Sequence, residues 1–160
     1  MKEERIFLPL FMRVRGKMAV IFGAGQIAGR RAQVLLRYGV VLQVIAPQCG
    51  SEMQELINQY GSGITYEQGS YRPGCLMDEN MDYVFAATDD QTVNEAIGRE
   101  CRHREILVNV ASDQSLCDFY FPGLVELEEM VIGISSEGVS HEGVKHLREK
   151  LEAMKVELMS

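Results

Sequence analysis

Short apolar runs and segments with helical spacing alternate along the first 110 residues of this chain. Residues 17–22 (KMAVIF) form a short apolar run ending at Gly23, the pattern of a strand covered on both faces. Ile27, Val34, Leu35 and Tyr38 then recur at helical spacing, and Gly39 closes the helix. Residues 40–46 (VVLQVIA) predict a second strand, stopped by Pro47, and 51–60 a second helix with Met53, Leu56, Ile57 and Tyr60 on one face. A short third strand follows at 64–67. Residues 68–80, with Gly69, Pro73 and Gly74, read as loop with room for one helical turn. A fourth strand at 83–87 leads into a helix capped within Thr88-Asp89-Asp90 and running to about His103, and 106–110 is the fifth strand. Strands alternating with helices predict an α/β fold, a Rossmann-like doubly wound parallel sheet.

After Val110 the rhythm changes. Two strands, 119–127 and 130–135, joined at Glu128-Glu129, predict a β-hairpin, and from Ser140 a helix places Val144, Leu147, Leu151, Met154 and Leu158 on one stripe. A hairpin and one amphipathic helix bury themselves poorly, so a second subunit is expected to cover them. The division expected is a nucleotide-binding domain over 1–113 and a dimerisation element over 114–160.

With 160 residues, 46% apolar and 24% charged, the chain has an ordinary globular composition. No apolar run is long enough to cross a bilayer, and the start, Met1-Lys2-Glu3-Glu4-Arg5, does not read as a signal peptide, so a cytoplasmic protein is expected. Cys49, Cys75, Cys101 and Cys117 lack metal-ligand or disulfide-scaffold spacing and are expected as reduced thiols, with no metal site. Met53, Met130 and Met154 fall on apolar stripes and read as packing residues. A net charge of −7 argues against nucleic acid. Residues 1–40 nonetheless hold eight basic residues against Glu3 and Glu4, a net +6 that leaves −13 for the rest. Such a segment suits an anionic ligand, although a solvated helix face would look the same.

Gly23-x-Gly25-x-x-Ala28 lies between the first strand and the first helix, where a dinucleotide fingerprint belongs. Gly23 permits the tight turn, Gly25 lets the pyrophosphate approach, and Ala28 keeps helix and strand close. Gln26 and Ile27 complete the turn; a glycine turn selected only for close packing is the alternative. At the end of the second strand Ala46-Pro47-Gln48 stands where an acidic residue usually holds the ribose, so the spacing does not choose between NAD and NADP. Thr88 and Asp89 lie at the carboxyl edge of the sheet, as ligand contacts, helix cap or both.

Taken in order, several segments resemble one family: Leu8-Pro9-Leu10-Phe11, 23–28, Val44-Ile45-Ala46-Pro47, Ala86-Ala87-Thr88-Asp89-Asp90, Val93-Asn94, Leu107-Val108-Asn109-Val110, Cys117-Asp118-Phe119, Phe121-Pro122 and 147–152. The chain is similar, nearly end to end, to precorrin-2 dehydrogenases and sirohydrochlorin ferrochelatases, the N-terminal part of siroheme synthases. The resemblance implies NAD as cofactor, the tetrapyrrole precorrin-2 as substrate, ferrous iron as a second substrate in some members, and a homodimer built from the region after the nucleotide domain. It assigns Gly23, Gly25, Gln26, Ile27, Ala28, Ala46, Pro47, Thr88, Asp89 and Asn94 to the cofactor, and Ser136, Ser140 and His141 to the substrate. Arg13, Arg15 and Arg30 are further carboxylate contacts on this reading.

Three departures accompany the resemblance. The family's aspartate after the fifth strand falls on Ser112, a weak base without an activating partner. The adjacent Asp113 is therefore the expected proton acceptor, with Ser112 beside it. Glu137, Val139 and His141 replace family residues in the loop before the last helix, and the helical region ends sooner. A non-catalytic dinucleotide- or tetrapyrrole-binding member of the same family is the alternative. A nucleotide-sensing module of ion channels is disfavoured by 117–122 and the terminal helix. His103 and His146 read as surface residues.

Overall fold

The computed structural model describes residues 7–76 and 81–155. They fall into two compact units, one within Met12–Phe119 and a second made from residues 7–11 with 120–155.

The first unit is a five-stranded parallel sheet. Its elements are β1 (Met18–Phe22), α1 (Gln26–Arg37), β2 (Val41–Ala46), α2 (Ser51–Tyr60), β3 (Ile64–Gln68), β4 (Tyr83–Ala86), α3 (Gln91–His103) and β5 (Leu107–Val110). The strand order is β3-β2-β1-β4-β5 with every pairing parallel. Right-handed crossovers from β1 outward through β2 and from β4 outward through β5 run in opposite directions, which puts α1 and α2 on one face and α3 on the other. The order reverses between β1 and β4, so a crevice opens above their carboxyl ends.

Burial explains why the strands read as they do. β4 is buried at all four positions and β1 at four of five, matching their unbroken apolar runs. β2 alternates buried and half-buried residues, and β3, at the edge, buries only Ile64. The core gathers Ile21, Phe22, Leu42, Val44, Val84, Phe85 and Val108. Between β3 and β4, residues 69–76 form no helix; the turn foreseen there is a Cys75 N–H bond to the Arg72 carbonyl, and 77–80 lie outside the described residues. This loop is braced on α3. The Tyr71 hydroxyl donates to Glu100 at 2.6 Å, the Gly74 amide donates to the same carboxylate, and the Tyr71 ring meets Phe22 edge-on.

The second unit holds the antiparallel pair β6 (Gly123–Glu126) and β7 (Val131–Ile134) and the helix α4 (His141–Ala153). β6 is shorter than the pattern at 119–127 predicts. Asp118 and Phe119 spend their hydrogen bonds on β5 instead: the Asp118 amide donates to the Val108 carbonyl, its carboxylate accepts from the Val108 amide, and the Phe119 carbonyl accepts from Asn109. Pro122 then has no amide to offer a ladder. Gly123 makes room for α4, since a Cβ there would stand 2.8 Å from the Val144 side chain. On the α4 stripe Val144 and Leu151 are half-buried while Leu147 and Met154 are exposed; Leu158 lies outside the described residues. No residue of α4 is fully buried.

Candidate dinucleotide site

The turn from β1 into α1 is held from both sides. The Gly23 amide donates to the Ile45 carbonyl of β2, and the Ala87 amide donates to the Phe22 carbonyl, tying the turn to the end of β4. Gly23 has φ +107°, and a Cβ on it would lie 2.2 Å from the Ala87 carbonyl oxygen, so no other residue fits this bend unchanged. Nothing lies within 4 Å of the position a Gly25 Cβ would take, so the space beside it is open. Ala28 is fully buried, while Gly25, Gln26 and Ile27 are exposed.

The helix that follows begins without a cap. Gly25 supplies no side-chain acceptor, and the first turn of α1 carries no acidic residue. By contrast Asp90 caps α3, Ser140 caps α4, and α2 carries Glu52 in its first turn. Uncapped amides at the positive end of a helix dipole, behind an open glycine, are what a pyrophosphate requires. The residues present therefore fit a dinucleotide: the 23–28 backbone would hold its phosphates, and the bound cofactor would supply hydride-transfer chemistry.

Toward β2 the chain offers little side-chain chemistry. The Ala46 carbonyl accepts from the Tyr66 hydroxyl at 2.8 Å and from the Gly69 amide, and the Pro47 carbonyl accepts from Gln68. A Cβ on Gly50 would stand 2.7 Å from the Ala24 carbonyl oxygen, so the β2–α2 connection passes against the turn itself.

Toward β4 and β5 polar groups converge. Asn94, 2% exposed, accepts from the Thr88 amide at 3.0 Å and the Thr88 hydroxyl at 2.7 Å; it donates to the Thr88 carbonyl at 3.1 Å and to Ser112 Oγ at 3.3 Å. Thr88 Oγ1 also accepts from the Asp90 amide, so that hydroxyl is spent inside its own loop. Asp90 caps α3 through the Thr92 and Val93 amides. Asp89 stays exposed, with no hydrogen bond among the described residues.

Ser112 follows β5 and is exposed. Asp113, half-buried, accepts from the Ser115 amide and hydroxyl through Oδ1, both at 2.8 Å, and so caps the 3₁₀ turn Gln114–Leu116. Below it the buried Cys117 thiol accepts from the Val110 amide, and burial pushes its pKa up. Burial likewise raises Cys101, to about 12, and all four cysteines are free. Neither buried thiol is available as a thiolate nucleophile near neutral pH.

Two residues singled out in the sequence, Arg13 and Arg15, do not come to this edge. Arg13 and Arg15 precede β1 and sit at the amino end of the sheet, opposite Gly23; Arg15 packs along Gly39 there. Arg30 is exposed on α1. Ser136, Ser140 and His141 belong to the second unit, where Ser136 Oγ accepts from the Ser140 amide and Ser140 caps α4 at its Gly143 amide. His141 is exposed as the first residue of α4. Sequence reading missed the Tyr71–Glu100 brace and the tie of Asp118 to β5; both join residues through tertiary contact, and no local pattern announces either.

Residues 10–123 match a family described as putative NAD(P)-binding, and the chain belongs to that family. Among its curated relatives, a siroheme synthase of Photorhabdus laumondii subsp. laumondii is 38% identical over 149 residues, covering 92% of this chain and 31% of that protein. One from Pseudomonas aeruginosa is 36% identical, over 91% of this chain and 30% of that protein. The chain thus spans about a third of the length of these relatives. A solved structure described as SirC, precorrin-2 dehydrogenase, shares the fold with a TM-score of 0.75 over 96% of this chain and 76% of that one, at 23% identity. Among the described residues no helix is long and apolar enough to cross a membrane.

Proposed function

We propose that this chain is an NAD-dependent dehydrogenase that oxidises precorrin-2 to sirohydrochlorin in siroheme formation. The cofactor half of the reading rests on one observation: Gly23 bent under the Ala87 carbonyl, in front of α1, which among the α-helices of the described residues alone has neither a cap side chain nor a first-turn acid. The substrate half draws on the siroheme synthases that the chain resembles over nine-tenths of its length. In the reaction a hydride passes from the macrocycle to NAD, a proton leaves to a base, and NADH and sirohydrochlorin result.

On this reading the 23–28 turn binds the pyrophosphate, residues 46–47 lie toward the adenosine, and Asp89 faces the nicotinamide ribose. Asp113 takes the proton through Oδ2, which has no partner among the described residues, while Oδ1 holds the cap. Ser136, Ser140 and His141 are the residues assigned to the substrate. The protein works in the cytoplasm as a homodimer, with residues 1–113 as the nucleotide domain and 114–160 as the dimerisation element. The exposed Leu147 and Met154 of α4 support a covering subunit. Ferrous iron is a further substrate on the same reading.

Anaerobic incubation with precorrin-2 and NAD tests this, with NADH and sirohydrochlorin followed together. Asn caps as well as Asp, so Asp113→Asn keeps the turn and removes the base; a loss of roughly 10²- to 10⁴-fold in kcat is expected. The engagement of Asp113 in capping favours one second reading, a binding protein without turnover. Under it the wild type binds NAD but forms no NADH, and Ser112→Asp gains activity.

A further inference from the structure

We propose that Ser112 donates its hydroxyl proton to the carboxamide oxygen of a bound nicotinamide, and that Asn94 is the positioning residue that aims it. The inference rests on the dinucleotide site described above and gives a role to the serine that stands where an acid was expected.

The direction of the bond follows from Thr88. Its amide hydrogen points at one terminal atom of the Asn94 side chain, which must therefore be the oxygen, and its carbonyl faces the other, which must be the nitrogen. That nitrogen also faces Ser112 Oγ at 3.3 Å, so Ser112 accepts there. A hydroxyl that accepts from Asn94 must send its own proton elsewhere, and among the described residues the proton meets no acceptor. Ser112 is thus a donor turned away from Asn94, on an exposed residue, anchored by a side chain that is 2% exposed.

Position and charge select the acceptor. The Ala111 amide extends the β5 ladder onto the Ala86 carbonyl, so Ser112 emerges at the carboxyl edge, two strands from Gly23. At a strand spacing of about 4.8 Å that is about 10 Å from the phosphate turn, on the side away from β2. With adenosine toward β2, this is the nicotinamide side. Asp113 stands immediately beside Ser112 and disfavours a carboxylate acceptor, whereas a neutral carbonyl oxygen carries no such penalty.

The test is calorimetric titration of the full chain with NAD and with ADP-ribose, which lacks the nicotinamide. Ser112→Ala is expected to weaken NAD roughly three- to tenfold, the value of one hydrogen bond, and to leave ADP-ribose within about twofold. Ser112→Thr, which keeps a hydroxyl, restores NAD affinity. Asn94→Asp keeps the acceptor for the Thr88 amide but offers a carboxylate to Ser112, which turns the proton inward; NAD weakens to the same extent and ADP-ribose does not, with thermal unfolding confirming a folded variant. Unchanged NAD affinity in Ser112→Ala overturns the proposal, as does an equal loss for ADP-ribose, which would make the role one of turn structure. Precorrin-2 turnover by the wild type with unaltered NAD affinity in Ser112→Ala sinks this inference alone. The NAD-specific loss without wild-type turnover sinks the dehydrogenase reading and leaves this one standing. A wild type that binds neither ligand overturns both.

Discussion

Replacing Gly23 and Gly25 separately by Ala should divide stability from cofactor binding. At Gly23 an added Cβ meets the Ala87 carbonyl oxygen at 2.2 Å and its carbon at 2.7 Å, both backbone atoms. They cannot retreat cheaply, because the Ala87 amide is bonded to the Phe22 carbonyl and β1 pairs with β4 through four residues. Holding a non-glycine residue near φ +107° costs about 1–3 kcal/mol. Forcing the carbon against a fixed strand adds about 1–3 kcal/mol more. For a domain of this size, about 2–6 kcal/mol lowers Tm by roughly 5–20 °C. Gly25 behaves differently, since its φ of −81° suits any residue and its Cβ site is empty. Its replacement should leave stability within about 1 kcal/mol, because a stiffer unfolded chain offsets a slightly poorer cap. The methyl group would, however, stand where the pyrophosphate must approach the backbone, and NAD affinity should fall at least about tenfold, or about 1.4 kcal/mol. Thermal unfolding with and without NAD, with calorimetric titration, separates the two. A Gly25→Ala protein that binds NAD like the wild type would refute the assignment of the phosphates to this turn. A Gly23→Ala protein as stable as the wild type would refute the packing argument.

Three further outcomes are expected. Asp90→Ala removes the acceptor for the Thr92 and Val93 amides and should cost about 1 kcal/mol in denaturant unfolding, while Asp90→Asn should cost little. Burial pushes the Glu100 carboxyl up, but donors from Tyr71, Gly74, Arg104 and Leu76 outweigh it and hold its pKa below the ordinary 4.5. A depressed carboxyl contributes stability above its unfolded pKa and loses it as pH falls through the folded one, so the wild type should lose this contribution below about pH 4.5. Glu100→Gln should flatten that acid limb in pH-dependent unfolding, and an unchanged limb would count against the brace. In the second unit, Gly123→Ala drives a methyl group to 2.8 Å from Val144 Cγ1 and should cost about 1–3 kcal/mol, read from loss of helical circular dichroism at lower temperature.

Much of the fold was legible because its signals are local. The runs at 18–22 and 83–86 are unbroken since β1 and β4 lie between two strands and under helices on both faces, so nearly every side chain in them is buried. The turn at Gly23 was legible too, because a positive φ and a close backbone approach admit only glycine. The residue types at the sheet edge, Thr88, Asn94, Ser112 and Asp113, were in view from the start. What each side chain does there was not, because that depends on partners brought by other strands. The resemblance assigns Asn94 to the cofactor, and only the structure shows that its amide bonds Thr88 and Ser112, 6 and 18 positions away. Arg13 and Arg15 belong to a basic segment in the chain, but β1 is traversed between them and Gly23, and they come out at the opposite end of the sheet. The strand foreseen at 119–127 gave way at its start because Asp118 and Phe119 found hydrogen bonds on β5, a competition between two possible partners that no local pattern ranks. Periodicity and glycine placement act within a few residues, so the chain alone determined the parallel strands, the helices and the glycine turn between β1 and α1. Hydrogen-bond direction and the end of the sheet at which a charge emerges depend on which strands become neighbours, and only the assembled tertiary structure decided those.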